Sequence, residues 1–252
     1  MSDLDPSQIW LALAVTLFAG FVKGAIGFAM PMIMMSAFGS FLPAPVALAL
    51  LIVPTLITNL QQSLRQGVRA AARSSRRYVW HIAFVCAFMF VAAPFARLLP
   101  QPVMYAALGV PITAFAAWQL SGRPLQLPIR HRRRAEVVSG IIGGLYGGIS
   151  GIWGPPLIVF LLSIGASKQE QIRVQGVVFL IGAVALTFAH LASGVLNAGT
   201  LPLSVLMVVP ALIGMQLGFA LQDRMDVVQF RRWTLVLLVL TGTNLIRRAL
   251  TM

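Results

Sequence analysis

Gly20-Phe21-Val22-Lys23-Gly24-Ala25-Ile26-Gly27-Phe28-Ala29-Met30-Pro31 recurs, without a gap, 124 residues further on as Gly144-Leu145-Tyr146-Gly147-Gly148-Ile149-Ser150-Gly151-Ile152-Trp153-Gly154-Pro155. Gly20, Gly24, Gly27 and Pro31 all return, as Gly144, Gly148, Gly151 and Pro155. An offset of nearly half the chain predicts a duplication, residues 1–124 and 125–252, each half opening with one copy. Both copies lie in strongly apolar surroundings. There Gly costs about 1 kcal/mol and Pro about 3 kcal/mol in a helix interior relative to Ala. Gly20, Pro31, Gly144, Pro155 and Pro156 are therefore expected to mark breaks in two membrane helices. Non-helical backbone at membrane depth needs protein or a wet cavity around it, so paired breaks point to one central site. The alternative is close helix packing through small residues.

The rest of the chain supports a bilayer setting. Hydrophobic residues make up 58% of the 252 and charged residues 10%, with a mean hydropathy of +0.87. A soluble domain is nearer 45–50% apolar and about 25% charged. Apolar stretches cover Ile9–Val22, Ala44–Leu64, Val79–Ala96, Val103–Leu120, Val137–Ala166, Val174–Thr200, Leu201–Leu221 and Trp233–Ile246, and a span needs about 20 residues. The fold expected is an all-α polytopic membrane protein, a single domain over 1–252 with eight hydrophobic elements in two pseudo-repeats. Little chain remains for a soluble catalytic domain. The first element, Ile9 to Leu42, holds 34 residues with Lys23 as its sole charge, about 51 Å of helix. That is too long for one upright span and too short for two. If both broken elements are re-entrant, nearly all Lys and Arg outside the spans fall on one side, as the charge rule asks, and the halves become inverted copies. Both termini then lie outside.

The net charge of +13 would suggest nucleic acid in a soluble protein. Here the arginines fill two polar segments between spans, Arg65–Arg77 and Ser121–Arg134. They read as loops on the cytoplasmic side, facing anionic lipid, and nucleic acid is not an expected partner. Cys86 is the only cysteine, and His81, His131 and His190 lack ligand spacing, so neither a disulfide nor a metal site is expected and no cofactor is implied. Asp5 followed by Pro6 reads as a helix start rather than a secretory signal.

Lys23 stands beside the first break, where an ammonium is costly unless paired or hydrated. Half-helix N-termini bring unpaired N–H groups and a positive dipole end to such a break. No Asp or Glu occupies a span interior, which disfavours a cation pathway and favours an anion. The predicted binding set is Lys23, Gly24, Gly27, Asn59, Gln62, Gly148, Ser150, Gly151, Trp153 and Gln175. In it Asn59, Gln62, Ser150 and Gln175 replace the hydration of an oxyanion, and Trp153 acts as packing or gate. Snorkelling of Lys23 and interhelical hydrogen bonding by the polar residues are the plainer alternatives. Two other function classes compete with a carrier: a non-transporting scaffold, and an intramembrane serine protease. The G-x-S-G at Gly148–Gly151, with His190 on the next element, resembles the rhomboid proteases. Against this, Ile26 replaces Ser150 in the other copy, Pro155 and Pro156 follow the serine, and the remaining rhomboid signatures are absent.

The two glycine-rich segments, at 20–31 and 144–156, resemble those of the sulfite exporter TauE/SafE family. The resemblance runs along nearly the whole chain through Gly194, Gly214-Met215-Gln216-Leu217-Gly218 and Phe230-Arg231-Arg232. It implies a secondary transporter, not an enzyme, for sulfite, a sulfonate or a related organic acid, working by alternating access in the bacterial inner membrane. The partners then expected are the small anion, lipid, a proton or sodium coupling ion and a second copy in a homodimer. Gly20, Gly24, Gly27, Pro31, Gly144, Gly148, Gly151 and Pro155 fall on the family motif. Lys23 and Trp153 stand where the family more often has small or apolar residues.

Overall fold

The computed structural model describes residues 5–65, 67–98, 100–122, 131–166, 168–222 and 227–251, and every regular element among them is helical. The first half contains α1 (Pro6–Ile26), α2 (Met30–Phe38), α3 (Ala44–Leu64), α4 (Val68–Arg77), α5 (Val79–Ala92), α6 (Phe95–Leu98) and α7 (Gln101–Leu120). The second contains α8 (Arg132–Ser150), α9 (Gly154–Ser163), α10 (Lys168–Ala192), α11 (Leu201–Leu206), α12 (Val208–Gln222) and α13 (Val227–Thr251). The expected boundary at 124/125 lies outside the described residues. Among the described residues, four stretches are long and apolar enough to cross a membrane: Pro6–Ala25, Ala44–Leu64, Arg173–Ala192 and Leu201–Leu221. Val79–Ala92 and Tyr105–Leu120 are shorter apolar helices.

Helix boundaries carry the sequence offset. Ile26 and Ser150 end their helices, Met30 and Gly154 start the next pair, and Ala44 and Lys168 the pair after that, each two positions being 124 residues apart. The packing follows suit: α1 lies along α12 as α8 lies along α5, α3 packs on α10, and α7 on α13. Asp5 and Gln8 form a capping box at the start of α1, with Pro6 in its first turn, where a missing N–H costs nothing. Gln8 Nε2 also donates to Phe41 O, 3.2 Å away. The start of α1 and the chain beyond α2 are therefore neighbours, so the first broken element returns toward the level from which it sets out.

Proline and serine settle one backbone defect in α3. Pro54 has no N–H and leaves the carbonyl of Leu50 without its helical partner. Ser204 of α11, fully buried, donates to Leu50 O at 3.3 Å and accepts from Val53 N at 3.1 Å. The defect is closed by protein, as hydrocarbon surroundings require.

Two expectations change. The segment 65–77 is not an open loop, because its residues from Val68 on form α4, whose Ser74 is buried and accepts from Arg173 Nε at 3.1 Å. Arginine and alanine are good helix formers, so a polar composition there signals a surface helix. Of the second polar segment, residues 123–130 lie outside the described residues, and Arg132–Arg134 belong to α8. At the polar end of the bundle Glu170, in the first turn of α10, accepts from Tyr78 Oη at 2.7 Å and pairs with Arg77 at 3.0 Å. Burial first, and the hydrogen bond to Glu170 next, push the Tyr78 phenol up to about 12.

Candidate functional site

The helix breaks fall at Gly27–Ala29 and Gly151–Trp153. Gly27 and Gly151 cap α1 and α8 in the left-handed region, with φ of +84° and +70°, and each donates its N–H to the carbonyl four residues back at 2.7 Å. Only glycine adopts that backbone without a Cβ penalty. Ala29 also has a positive φ, +79°, a costly conformation for alanine held by the packing around it. Pro31, Pro155 and Pro156 stand in the first turns of α2 and α9, where prolines are tolerated because those N–H groups have no helical partner. They open the return helices.

Gly20 and Gly144 are not at the breaks; both lie in mid-helix. A Cβ on Gly144 would sit 2.6 Å from Val85 O, and one on Gly148 would sit 2.8 Å from Ala92 Cβ. Gly20 and Gly24 abut the carbonyls of Ala211 and Met215 in the same way, and Gly214 and Gly218 answer from α12 against Leu17 and Phe21. These glycines bring α1 onto α12 and α8 onto α5 at backbone contact, the small-residue packing held as the alternative. Gly24 and Gly148, placed in the binding set by sequence, are occupied by this packing.

The two breaks meet around a small cavity of about 30 Å³ lined by Lys23, Phe28, Ala29, Pro31, Met32, Asn59, Gly151, Ile152, Trp153, Gly154 and Phe179. Lys23 is buried, and its Nζ donates to Thr58 Oγ1 at 2.9 Å and to Asn59 Oδ1. Both acceptors are fixed by bonds of their own. Thr58 Oγ1 donates to Pro54 O at 2.6 Å, and Asn59 Nδ2 donates to Phe179 O at 3.0 Å, which turns the amide oxygen toward Lys23. Gln62 Nε2 donates to Gly27 O at 2.8 Å, and Gln175 Oε1 stands beside it, 3.9 Å from where a Gly27 Cβ would sit. Trp153 is 3% exposed, packs edge-on against Phe179, and its Nε1 has no acceptor. A buried N–H without a partner costs about 1–3 kcal/mol and invites a ligand acceptor.

Charge at the cavity is of one sign. The described carboxylates are Asp5, at the start of α1, Glu136, which accepts from the backbone N–H of His81, and Glu170, paired with Arg77. None lines the cavity. The halves also fill their breaks differently. Gly147 stands 124 residues from Lys23 and Gly182 from Thr58, and a Cβ on either would run into Trp153, at 3.1 Å and 2.6 Å. The indole thus fills the space beside the two glycines that stand 124 residues from Lys23 and Thr58.

The structure therefore gathers Lys23, Gly27, Asn59, Gln62, Gly151, Trp153 and Gln175, with Pro31 at the rim. Ser150 is buried nearby but serves its own turn, donating to Tyr146 O at 2.7 Å and accepting from Ile152 N at 3.1 Å. His190 pairs through Nδ1 with Ser193 Oγ at 3.3 Å. A serine whose proton is given to a backbone carbonyl is not poised on a histidine, so the protease arrangement is not favoured. Thr58, Met32, Phe179 and Ser204 were missing from the predicted site and its support. Thr58 alone left a signal, as a hydroxyl next to Asn59 in an apolar run.

Interrupted helices meeting at a buried, cationic, carboxylate-free cavity define a membrane transporter more readily than an enzyme or a scaffold. Residues 12–245 match the family model described as Sulfite exporter TauE/SafE, and the chain belongs to that family. No curated protein and no solved structure matches it.

Proposed function

We propose that this protein is a secondary transporter of a small anion, with sulfite or a short sulfonate as the substrate class, working by alternating access across the bacterial inner membrane. One observation carries the proposal: Lys23 lies buried where the two return helices begin, with neutral oxygens for partners and no carboxylate. An uncompensated ammonium in such surroundings is expensive, and an anion offsets that cost where a cation would add to it. Trp153 Nε1 and the backbone N–H groups of Met32 and Gly154, first-turn residues of α2 and α9 that line the cavity, supply further donors, while Pro31, Pro155 and Pro156 have none. The halves 1–124 and 125–252 act as inverted repeats about this site, and Gln62 steadies the Gly27 turn. A cavity of this size holds one or two waters, so entry of an oxyanion requires α2 and α9 to move apart.

Purified protein in proteoliposomes tests this with sulfite, sulfate, thiosulfate, methanesulfonate and acetate. Saturable uptake of a sulfur oxyanion that is lost in Lys23→Met is the expected result. Equal uptake in Lys23→Met, or none of any anion by folded wild-type protein, overturns it.

A further inference from the structure

The hydrogen-bond count at Lys23 goes beyond an anion site. A neutral amine carries two N–H bonds, and the site offers two acceptors, Thr58 Oγ1 and Asn59 Oδ1, each with its other bond already made. An ammonium carries a third N–H, for which the described residues supply no further acceptor. Lys23 lines the cavity, whose other lining side chains, Phe28, Pro31, Met32, Ile152, Trp153 and Phe179, bear no oxygen or nitrogen acceptor, only the weak thioether of Met32. The two protonation states thus suit two occupancies: two N–H bonds without an anion, three with one.

Among the described residues nothing nearby competes for the charge. Of the elements packed on α1, α2 and α12 contain no ionisable side chain, and α13 carries Arg231, Arg232, Arg247 and Arg248 near its ends. Arg248 donates to Gly39 O, beyond the far end of α2 from the break. Across the cavity α3 and α9 have none. In α10 Glu170 and Arg173 are engaged at the polar end and His190 with Ser193, while in α8 Glu136 is held at His81. The phenol of Tyr146 is neutral in the physiological range.

Resting on the anion-transport reading, we infer that Lys23 is the carrier of a coupling proton. A monoanion enters together with one proton, which comes from the aqueous phase on that side and binds Lys23 Nζ. On the other side the anion leaves, and the proton follows it into water. One negative and one positive charge cross together, so the step moves no net charge.

The experiment uses the full chain and methanesulfonate, a strong-acid anion that does not itself titrate. In proteoliposomes, an inward-directed proton gradient is expected to drive its accumulation. Imposed membrane potentials should leave the initial rate unchanged, and a lumenal pH dye should report one proton per anion. Calorimetric binding in two buffers of different ionisation enthalpy should show proton uptake on binding, with affinity falling about tenfold per pH unit once Lys23 is neutral in the free protein. Lys23→Arg, permanently charged, should bind without proton uptake and make flux voltage-sensitive, and Lys23→Met should do neither. Wild-type binding with no proton uptake, or flux that follows voltage, overturns the inference and leaves anion transport standing. Proton-coupled flux in Lys23→Met also overturns it. Absence of any anion binding by wild-type protein overturns both.

Discussion

Gly144→Ala is the sharpest test of the helix contacts that hold the site. The new methyl would lie 2.6 Å from Val85 O, 2.8 Å from Phe88 Cβ and 3.0 Å from Phe84 O. Ordinary contact begins near 3.4 Å, so α8 must retreat from α5 by close to 1 Å. Two of the three obstacles are backbone carbonyls, which cannot rotate away. Overpacking of this kind costs about 1–3 kcal/mol, and alanine's better helix propensity returns up to about 1 kcal/mol. A net loss of about 1–2 kcal/mol is expected. Gly176→Ala in α10 is the matched control, since its nearest neighbour, Ser63 Cα, stands at 3.4 Å. There the propensity gain is unopposed, and the change should be neutral or stabilising by up to about 1 kcal/mol. Equilibrium unfolding in mixed micelles would compare the two. A Gly144→Ala protein as stable as Gly176→Ala would refute the claim that these glycines serve backbone contact.

Trp153→Phe keeps most of the cavity wall and removes the unpartnered N–H; the apparent KM for the transported anion should rise about five- to tenfold, the worth of one hydrogen bond, at little change in maximal rate, and an unchanged KM would remove Trp153 from the binding set. Tyr78, whose phenol is raised to about 12 by burial and then by Glu170, favours folding in its neutral form. That contribution is complete below the unfolded value near 10 and is lost as pH rises from there through 12. Unfolding measured from pH 8 to 12 should therefore show a decline above pH 10 that is smaller in Tyr78→Phe.

Much of the site was legible because a repeat offset is insensitive to how the chain folds between its copies. The offset of 124 located both breaks, and Lys23, the lone charge of its element, lines the cavity where they meet. The roles of individual glycines were not legible. Gly27 and Gly151 are needed for a positive φ, whereas Gly20, Gly24, Gly144 and Gly148 are needed for the absence of a Cβ, and one-letter spacing of three or four residues is the same for both. Ser204 was silent because its partner, the carbonyl freed by Pro54, lies 154 positions away and is a backbone group that leaves no mark in sequence. Segment 65–77 misled because polarity suggested loop where helix propensity decided.

The glycine contact between α1 and α12 also orders events during synthesis. Gly20 and Gly24 must wait for Gly214 and Gly218, about 190 residues later, which at ribosomal speeds is roughly 10–40 s. Through that interval the small-residue face of α1 has only lipid or the insertion machinery to rest on, whereas α8 finds α5 already made. The first half of the cavity is therefore closed by one of the last helices to leave the ribosome, and a nascent chain halted before residue 214 holds Lys23 without the α12 wall behind its helix.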